Sequence, residues 1–190
     1  MRGTIIADEA WIGGDPINDH HWKPEAKPEV LVSGSGRPNQ KTKKTPVLAL
    51  VNKETGEVRT EVVTSVNKGN IGKFLGSHVD MANSVLHTDE SSVYPQTGQH
   101  FQAHETVNHS KKEYVRGNVT SNHAEGFFSQ LKRSIDGTHH HVSPDHLHRY
   151  VNEFAFRYTT CKLDDGVRLQ TLVDQAAGRR LSYKPLTNRD

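Results

Sequence analysis

Pro46 to Asn52, PVLALVN, is a continuous apolar run without a charged residue, and it constrains the chain more than any other stretch. A run of this length suits a central strand buried on both faces. Lys53 to Glu57, KETGE, supplies a turn around Gly56, and the β-branched run Val58 to Val66, VRTEVVTSV, returns as the second arm of a hairpin. Gly3 to Trp11, GTIIADEAW, is a third strand, naturally paired beside the hairpin. Its alternation puts Ile6 and Asp8 on one face and Ile5, Ala7 and Glu9 on the other. The pair Asp8-Glu9 leaves open which carboxylate turns inward.

Asn70 to Val79 places Ile71, Phe74, Leu75 and Val79 on one helical face behind an Asn cap, which makes it a crossover. Ser84 to Asp89, SVLHTD, is the return strand, and the right-handed crossover rule lays it beside the strand carrying Asp8. Adjacent parallel strands end on the same side, so Asp8 and Asp89 are expected close together. Glu90 to Tyr94 reads as a short helix stopped by Pro95, and His100 to Val107 as a further strand. Pro144 to Thr160 is a helix capped by Ser143, with Leu147, Tyr150, Val151, Phe154 and Tyr158 as its apolar stripe. Val167, Leu169, Leu172, Val173 and Ala176 suggest a last helix ending at Gly178. The expected architecture is α/β, a mixed five-stranded sheet flanked by helices, in one domain over 1–180. A long basic loop, 13–45, interrupts it after the first strand, and 181–190 form a tail.

Thr120 to Arg133, TSNHAEGFFSQLKR, reads as a helix with Asn122 as N-cap and Glu125 at the third position. Phe127, Phe128 and Leu131 turn toward a core, while Asn122, Glu125, Ser129 and Lys132 share the opposite face. Glu125 either completes a capping box or reaches over to the two aspartates, and Lys132 either complements the helix dipole or serves the same site. Asp8, Asp89 and Glu125 together would make a hard, oxygen-rich site suited to Mg²⁺ or Mn²⁺. Two such ions, roughly 3.5 to 4 Å apart, serve attacking and leaving oxygens on one phosphodiester, so phosphoryl transfer is the expected reaction class.

One cysteine among 190 residues excludes a disulfide framework and a four-cysteine zinc site within this chain. No apolar run approaches the roughly 20 residues of a membrane helix, and the N-terminus lacks a signal-peptide core, so a soluble cytoplasmic protein without a membrane partner is expected. A formal charge of +2 proves no nucleic-acid partner, but its distribution is uneven. Arg37, Lys41, Lys43 and Lys44 cluster, as do Lys111, Lys112 and Arg116, and Lys132 with Arg133; each cluster either follows DNA phosphates or is a solvated face. Trp11 and Trp22 flank the long loop and either anchor it or stack on a base. Among thirteen histidines, His139, His140, His141, His146 and His148 crowd one segment, where neighbours diverge too much for a dedicated zinc site.

Asp8 within DEAWIGG, Asp89 within HTDESSVY, the run VNHSKKEYV, the helix TSNHAEGFFSQLKR and the segment GTHHHVSPDHLHRYVNEFAFRY occur in that order. As an ordered series covering nearly the whole chain, they resemble the transposase domain of ISXO-type bacterial insertion sequences. That resemblance implies an RNase H-like fold and a DDE-type active site. In it, Asp8 and Asp89 correspond to the metal-binding aspartates and Glu125 to the third ligand, with Asn122 as the rival for that position and Lys132 as the basic residue beyond. It further implies two Mg²⁺ (or Mn²⁺) ions, DNA as partner, assembly as a homo-oligomer on transposon ends and target, and work at the bacterial nucleoid. The histidine segment past the catalytic helix would buttress the site or touch the DNA backbone. Two departures stand out: Thr159 replaces the Asn usual after the Phe-Arg-Tyr run, and the chain begins almost at the first catalytic strand, where full-length members begin with a zinc ribbon. The chain is thus expected to be either the catalytic domain of a longer product or a remnant of a decayed element. A nuclease that only hydrolyses, and an inert DNA-binding remnant, are the alternatives to an active transposase.

Overall fold

A computed structural model describes residues 1–13, 44–89, 94–107, 115–116 and 119–179. Arg37, Lys41, Lys43, Lys111, Lys112, Trp22 and the tail lie outside the described residues, as does nearly all of the loop expected over 13–45.

The run that opened the sequence forms β2 (Thr45–Asn52), buried along almost its whole length. It is flanked by antiparallel partners β1 (Gly3–Ile12) and β3 (Val58–Val62). The turn between β2 and β3 is built by Asn52, whose side-chain oxygen accepts from the amides of Glu54 (3.0 Å) and Thr55 (2.9 Å). Gly56 follows at φ +74°, a conformation that L side chains rarely adopt. Next comes α1 (Lys68–His78), capped by Asn67, whose side chain accepts from the Asn70 amide; the helix buries Ile71, Phe74 and Leu75.

α1 carries the chain across the sheet to β4 (Ser84–Asp89), which lies parallel to β1 as the crossover rule requires. The short α2 (Pro95–Gly98) begins with its proline, and the helix expected over Glu90–Tyr94 falls outside the described residues except at Tyr94. A proline at the first helical position gives up only an amide that has no intrahelical acceptor, so it starts a helix without cost. β5 (Ala103–Val107) then adds in parallel to the outside of β4, completing a five-stranded mixed sheet in the order β3-β2-β1-β4-β5.

The polar stretch before the key helix contains a two-stranded antiparallel ribbon, β6 (Val115–Arg116) and β7 (Val119–Thr120), which periodicity did not reveal. It leads into α3 (Asn122–Ser134), a π-helical turn over Ile135–His139, and α4 (Pro144–Thr159).

Alternation along the strands divides the core in two. Ile6, Val47, Ala49 and Val51 face α3 and α4, meeting Phe127, Phe128, Leu131, Leu147 and Val151. Ile5, Ala7, Leu48 and Leu50 face α1 and α2, meeting Phe74, Leu75 and Tyr94. Thr159, the departure from the family pattern, accepts a hydrogen bond from the Val58 amide at 3.0 Å and so ties the end of α4 to β3.

The last helix, α5 (Asp165–Ala176), forms as expected behind Asp164, whose side chain accepts from the Gly166 amide. Its apolar residues join neither core, and Val167, Leu169, Leu172 and Val173 are all exposed. No helix among the described residues is long and apolar enough to cross a membrane.

Candidate active site

The last residue pair joining β1 to β4 is Ile6 with His87, and Asp8 and Asp89 each stand two residues past it. In-register neighbours on parallel strands point to the same face, and residues two apart share a face. Asp8 and Asp89 therefore extend from the side on which Ile6 meets α3. Ala124, Phe127, Phe128 and Leu131 bury that helix against the sheet, and Glu125 on it is near enough for its charge to act on Asp8.

The electrostatics of Asp8 follow from this convergence. Its carboxyl is pushed up to about 7, first by burial, then by the negative charges of Glu9, Asp89 and Glu125. The amide of Glu9, donating to Asp8 Oδ1 at 2.8 Å, offsets part of that rise. Burial and Asp89 also raise the Glu9 carboxyl, while a hydrogen bond from Tyr94 opposes the rise. Tyr94 is fully buried in the core below, and its hydroxyl donates to Glu9 Oε2 at 2.6 Å. That phenol is held protonated by burial and by the negative charges of Glu9, Asp8 and Asp89. Of the two acids left open by the sequence, Asp8 faces α3 and Glu9 turns to the opposite layer. Periodicity could not reveal the Tyr94 contact, because its partners lie 85 positions apart.

Asp89 is supported from β5. Thr88 Oγ1 donates to the Asp89 carbonyl at 2.8 Å and lies 2.9 Å from His104 Nε2. A hydroxyl has one proton, so His104 must be the donor in the second bond. Burial keeps both His104 and the neighbouring His87 below the usual histidine range. His87 Nε2 lies 3.4 Å from Glu105, which makes His87 a strand residue facing β5.

Glu125 departs from expectation in one respect. The N-cap is Ser121, not Asn122, so Glu125 occupies the fourth helical position. Ser121 is buried, and its carbonyl accepts from the amides of Ala124 and Glu125, which fixes the helix start one residue early. Its hydroxyl donates to Glu125 Oε1 at 2.6 Å. Held this way, Glu125 still acts on Asp8 through its charge. Among the described residues no three His, Cys, Asp or Glu side chains are gathered as one ion would need.

The donor set nevertheless fits a hard divalent cation. Its donors are carboxylate oxygens, and the side chains that shift Asp8 electrostatically are all acidic. Asp8, Asp89 and Glu125 are the residues that would hold it.

Lys132 lies further along α3. With Lys44 it lines a cleft beyond the end of β1, seven residues along α3 from Glu125. Arg133, on the neighbouring side of α3, lines a separate groove with Gln130 and Arg157. Among the crowded histidines, His139 packs edge-on against Tyr150, with ring centroids 4.7 Å apart.

A family profile of ISXO2-like transposase domains matches residues 1–159. The chain belongs to that family. A search of curated proteins gives no significant match. Among solved structures, this transposase domain is similar to a simian T-cell lymphotropic virus intasome in complex with PP2A regulatory subunit B56 gamma. The TM-score is 0.51 at 9% identity, over 100% of this chain and 60% of that one. It is also similar to the HTLV-2 integrase catalytic core domain in complex with magnesium. The dimeric form gives a TM-score of 0.45 at 10% identity, over 82% of this chain and 84% of that one. The trimeric form gives 0.48 at 10% identity, over 89% and 95%. At such identities the likeness concerns the fold alone, and the transposase domain has the RNase H-like sheet.

Proposed function

We propose that this domain cleaves a phosphodiester at a transposon end and joins the released 3′ hydroxyl to target DNA. The observation that carries this reading is the placement of Asp8 and Asp89 on the ends of neighbouring parallel strands, with Glu125 near enough to raise the Asp8 carboxyl. Asp8, Asp89 and Glu125 would hold a pair of Mg²⁺ or Mn²⁺ ions, which when bound would activate an attacking oxygen and stabilise a leaving one.

The residues of the chain have distinct tasks in this reading. Asp8 is buried enough to favour its neutral form when alone, and a bound cation would favour its ionised form. Asp89 sits beside it on a strand backed by the Thr88 and His104 hydrogen bonds, which limit its movement. Glu125, which now accepts from the Ser121 hydroxyl, would supply the third carboxylate to the ions. Asn122, the rival for the third position, stands at the start of the same helix. Lys132, with Lys44, Arg116 and Arg133, neutralises phosphate charge. Because two ends are joined to one target, the domain works as a homo-oligomer on DNA.

A pre-cleaved, end-containing DNA tests the reading, supplied with target DNA and Mg²⁺. Joined products are expected from the wild type. Nicks without joining would identify a hydrolytic nuclease, and salt-sensitive binding with neither product would identify an inert remnant.

A further inference from the structure

α3 and α4 border a groove with about 540 Å³ of accessible space. Gly126, Ser129, Gln130 and Arg133 supply its α3 side, at the i, i+3, i+4 and i+7 spacing that shares one helical face. Arg157 and Phe154 supply the α4 side, and no acid is among the described residues that line it. The groove shares no residue with the cleft lined by Lys44 and Lys132. Neighbours on a helix point about 100° apart, so Lys132 and Arg133 serve different sides of α3.

The lining selects the ligand class. A pocket for a small organic molecule is walled mainly by apolar side chains, whereas hydroxyl, amide and guanidinium groups dominate here. Those are the groups that bind phosphate oxygens. The one aromatic, Phe154, packs on Phe127 of the core with ring centroids 5.6 Å apart, so the groove offers a base little to stack on. Arg157 meets Glu153 at 3.2 Å, but both side chains are more than half exposed, and a pair of this kind is weak enough for a phosphate to compete.

Gly126 is the second observation. A glycine inside a helix destabilises it relative to alanine, and two local reasons commonly justify one. Neither applies. Gly126 is not among the glycines with positive φ, and nothing described lies within 4 Å of where its Cβ would stand. The fold would accept alanine here, so the bare backbone serves the close approach of something from outside.

The geometry points to a track for the sugar-phosphate backbone of a DNA duplex, lying against α3 at Gly126 and passing between Arg133 and Arg157. From Gly126 to Ser134 the helix runs about 12 Å, which matches three to four nucleotide steps of about 3.4 Å. The track begins one residue from Glu125 and leaves the carboxylates on the side of α3 away from Lys132. Backbone contacts carry no sequence information, so any duplex serves as a probe. The inference rests on the transposase reading, which supplies DNA as the ligand.

The test titrates a short mixed-sequence duplex into the wild type and variants in EDTA at several salt concentrations, alongside urea unfolding. Gly126→Ala should lower the unfolding constant about 4- to 5-fold and yet weaken duplex binding at least about threefold. Arg157→Gln should reduce the slope of log affinity against log salt by about 0.9, and Arg157→Lys should keep it. Arg2→Gln removes the same charge at the far end of β1, where Arg2 pairs with Asp80, and should leave the slope unchanged. Wild-type affinity in Gly126→Ala, a less stable Gly126→Ala, a wild-type slope in Arg157→Gln, or an equal change in Arg2→Gln would overturn the inference and leave the transposase reading standing. A wild type that binds no duplex would remove both.

Discussion

The Tyr94 hydroxyl donates to the Glu9 carboxylate at 2.6 Å, joining two motifs that lie 85 positions apart. Tyr94 also accepts from the Gly98 amide through its carbonyl, so it anchors the start of α2 while holding the end of β1. Glu9 in turn presents its amide to Asp8 Oδ1 at 2.8 Å. A buried phenol on one face of the sheet therefore steadies the carboxylate on the other. Replacing Tyr94 by Phe keeps the ring and deletes the donor. A hydrogen bond to a charged group contributes about 1.5 to 3 kcal/mol, and urea unfolding of Tyr94→Phe should show a loss in that range. A loss under about 0.5 kcal/mol would mean that the contact is incidental.

Asp8 should make the metal-free domain less stable as pH rises. Its folded carboxyl keeps a proton up to about 7, and the unfolded one releases it near 3.8. Folding therefore takes up a proton between those values. The stability that this group contributes is fully present below about 4 and is lost as pH passes through 7. Across the window the loss is on the order of 4 kcal/mol. Asp8→Asn has no such dependence, so in EDTA it should be the more stable protein at pH 7.5, with the difference shrinking toward pH 4. His87 and His104, lowered by burial, give the opposite slope in both proteins and cancel in the difference.

Ser121→Ala separates two roles of Glu125. The hydroxyl that donates to Glu125 at 2.6 Å steadies the free helix start, and its removal should cost about 0.5 to 1.5 kcal/mol. If Glu125 leaves Ser121 to take a metal, Mn²⁺ affinity should stay the same or rise in the variant. Thermal melts with and without Mn²⁺ give both numbers. A fall in affinity of tenfold would show that Ser121 holds Glu125 in its working position.

Thr159 closes a gap between α4 and β3. Thr159→Val removes the acceptor and leaves the amide of buried Val58 without that partner to donate to, a cost of about 1 to 2 kcal/mol. Thr159→Ser keeps the hydroxyl and should be nearly neutral. Equal losses in both variants would point to the methyl group instead.

Much of this fold was legible because its signals are local. PVLALVN can hardly be other than a buried strand, and the crossover rule then places Asp89 beside Asp8 whatever lies between. Helix starts were less legible: both Ser121 and Asn122 are good caps, and burial of Ser121 decides between them. Pro95 suits either side of a helix boundary. Contacts made across the sheet left no trace in spacing, since nothing in DEAW or VYPQ announces that Glu9 meets Tyr94. The cleft was hidden for the same reason. Trp11, Lys132 and His140 come from a strand end, a helix and the residue after a π-helical turn, and only the fold sets them around one cleft.

Asp8, Asp89 and Glu125 are proposed to act as one cation site. Mn²⁺ titration followed by calorimetry tests it most directly, with the wild type compared with Asp8→Asn, Asp89→Asn and Glu125→Gln at pH 7.5. Saturable binding is expected from the wild type, and at least tenfold weaker binding from each variant. Asp89→Asn binding Mn²⁺ as tightly as the wild type would contradict it.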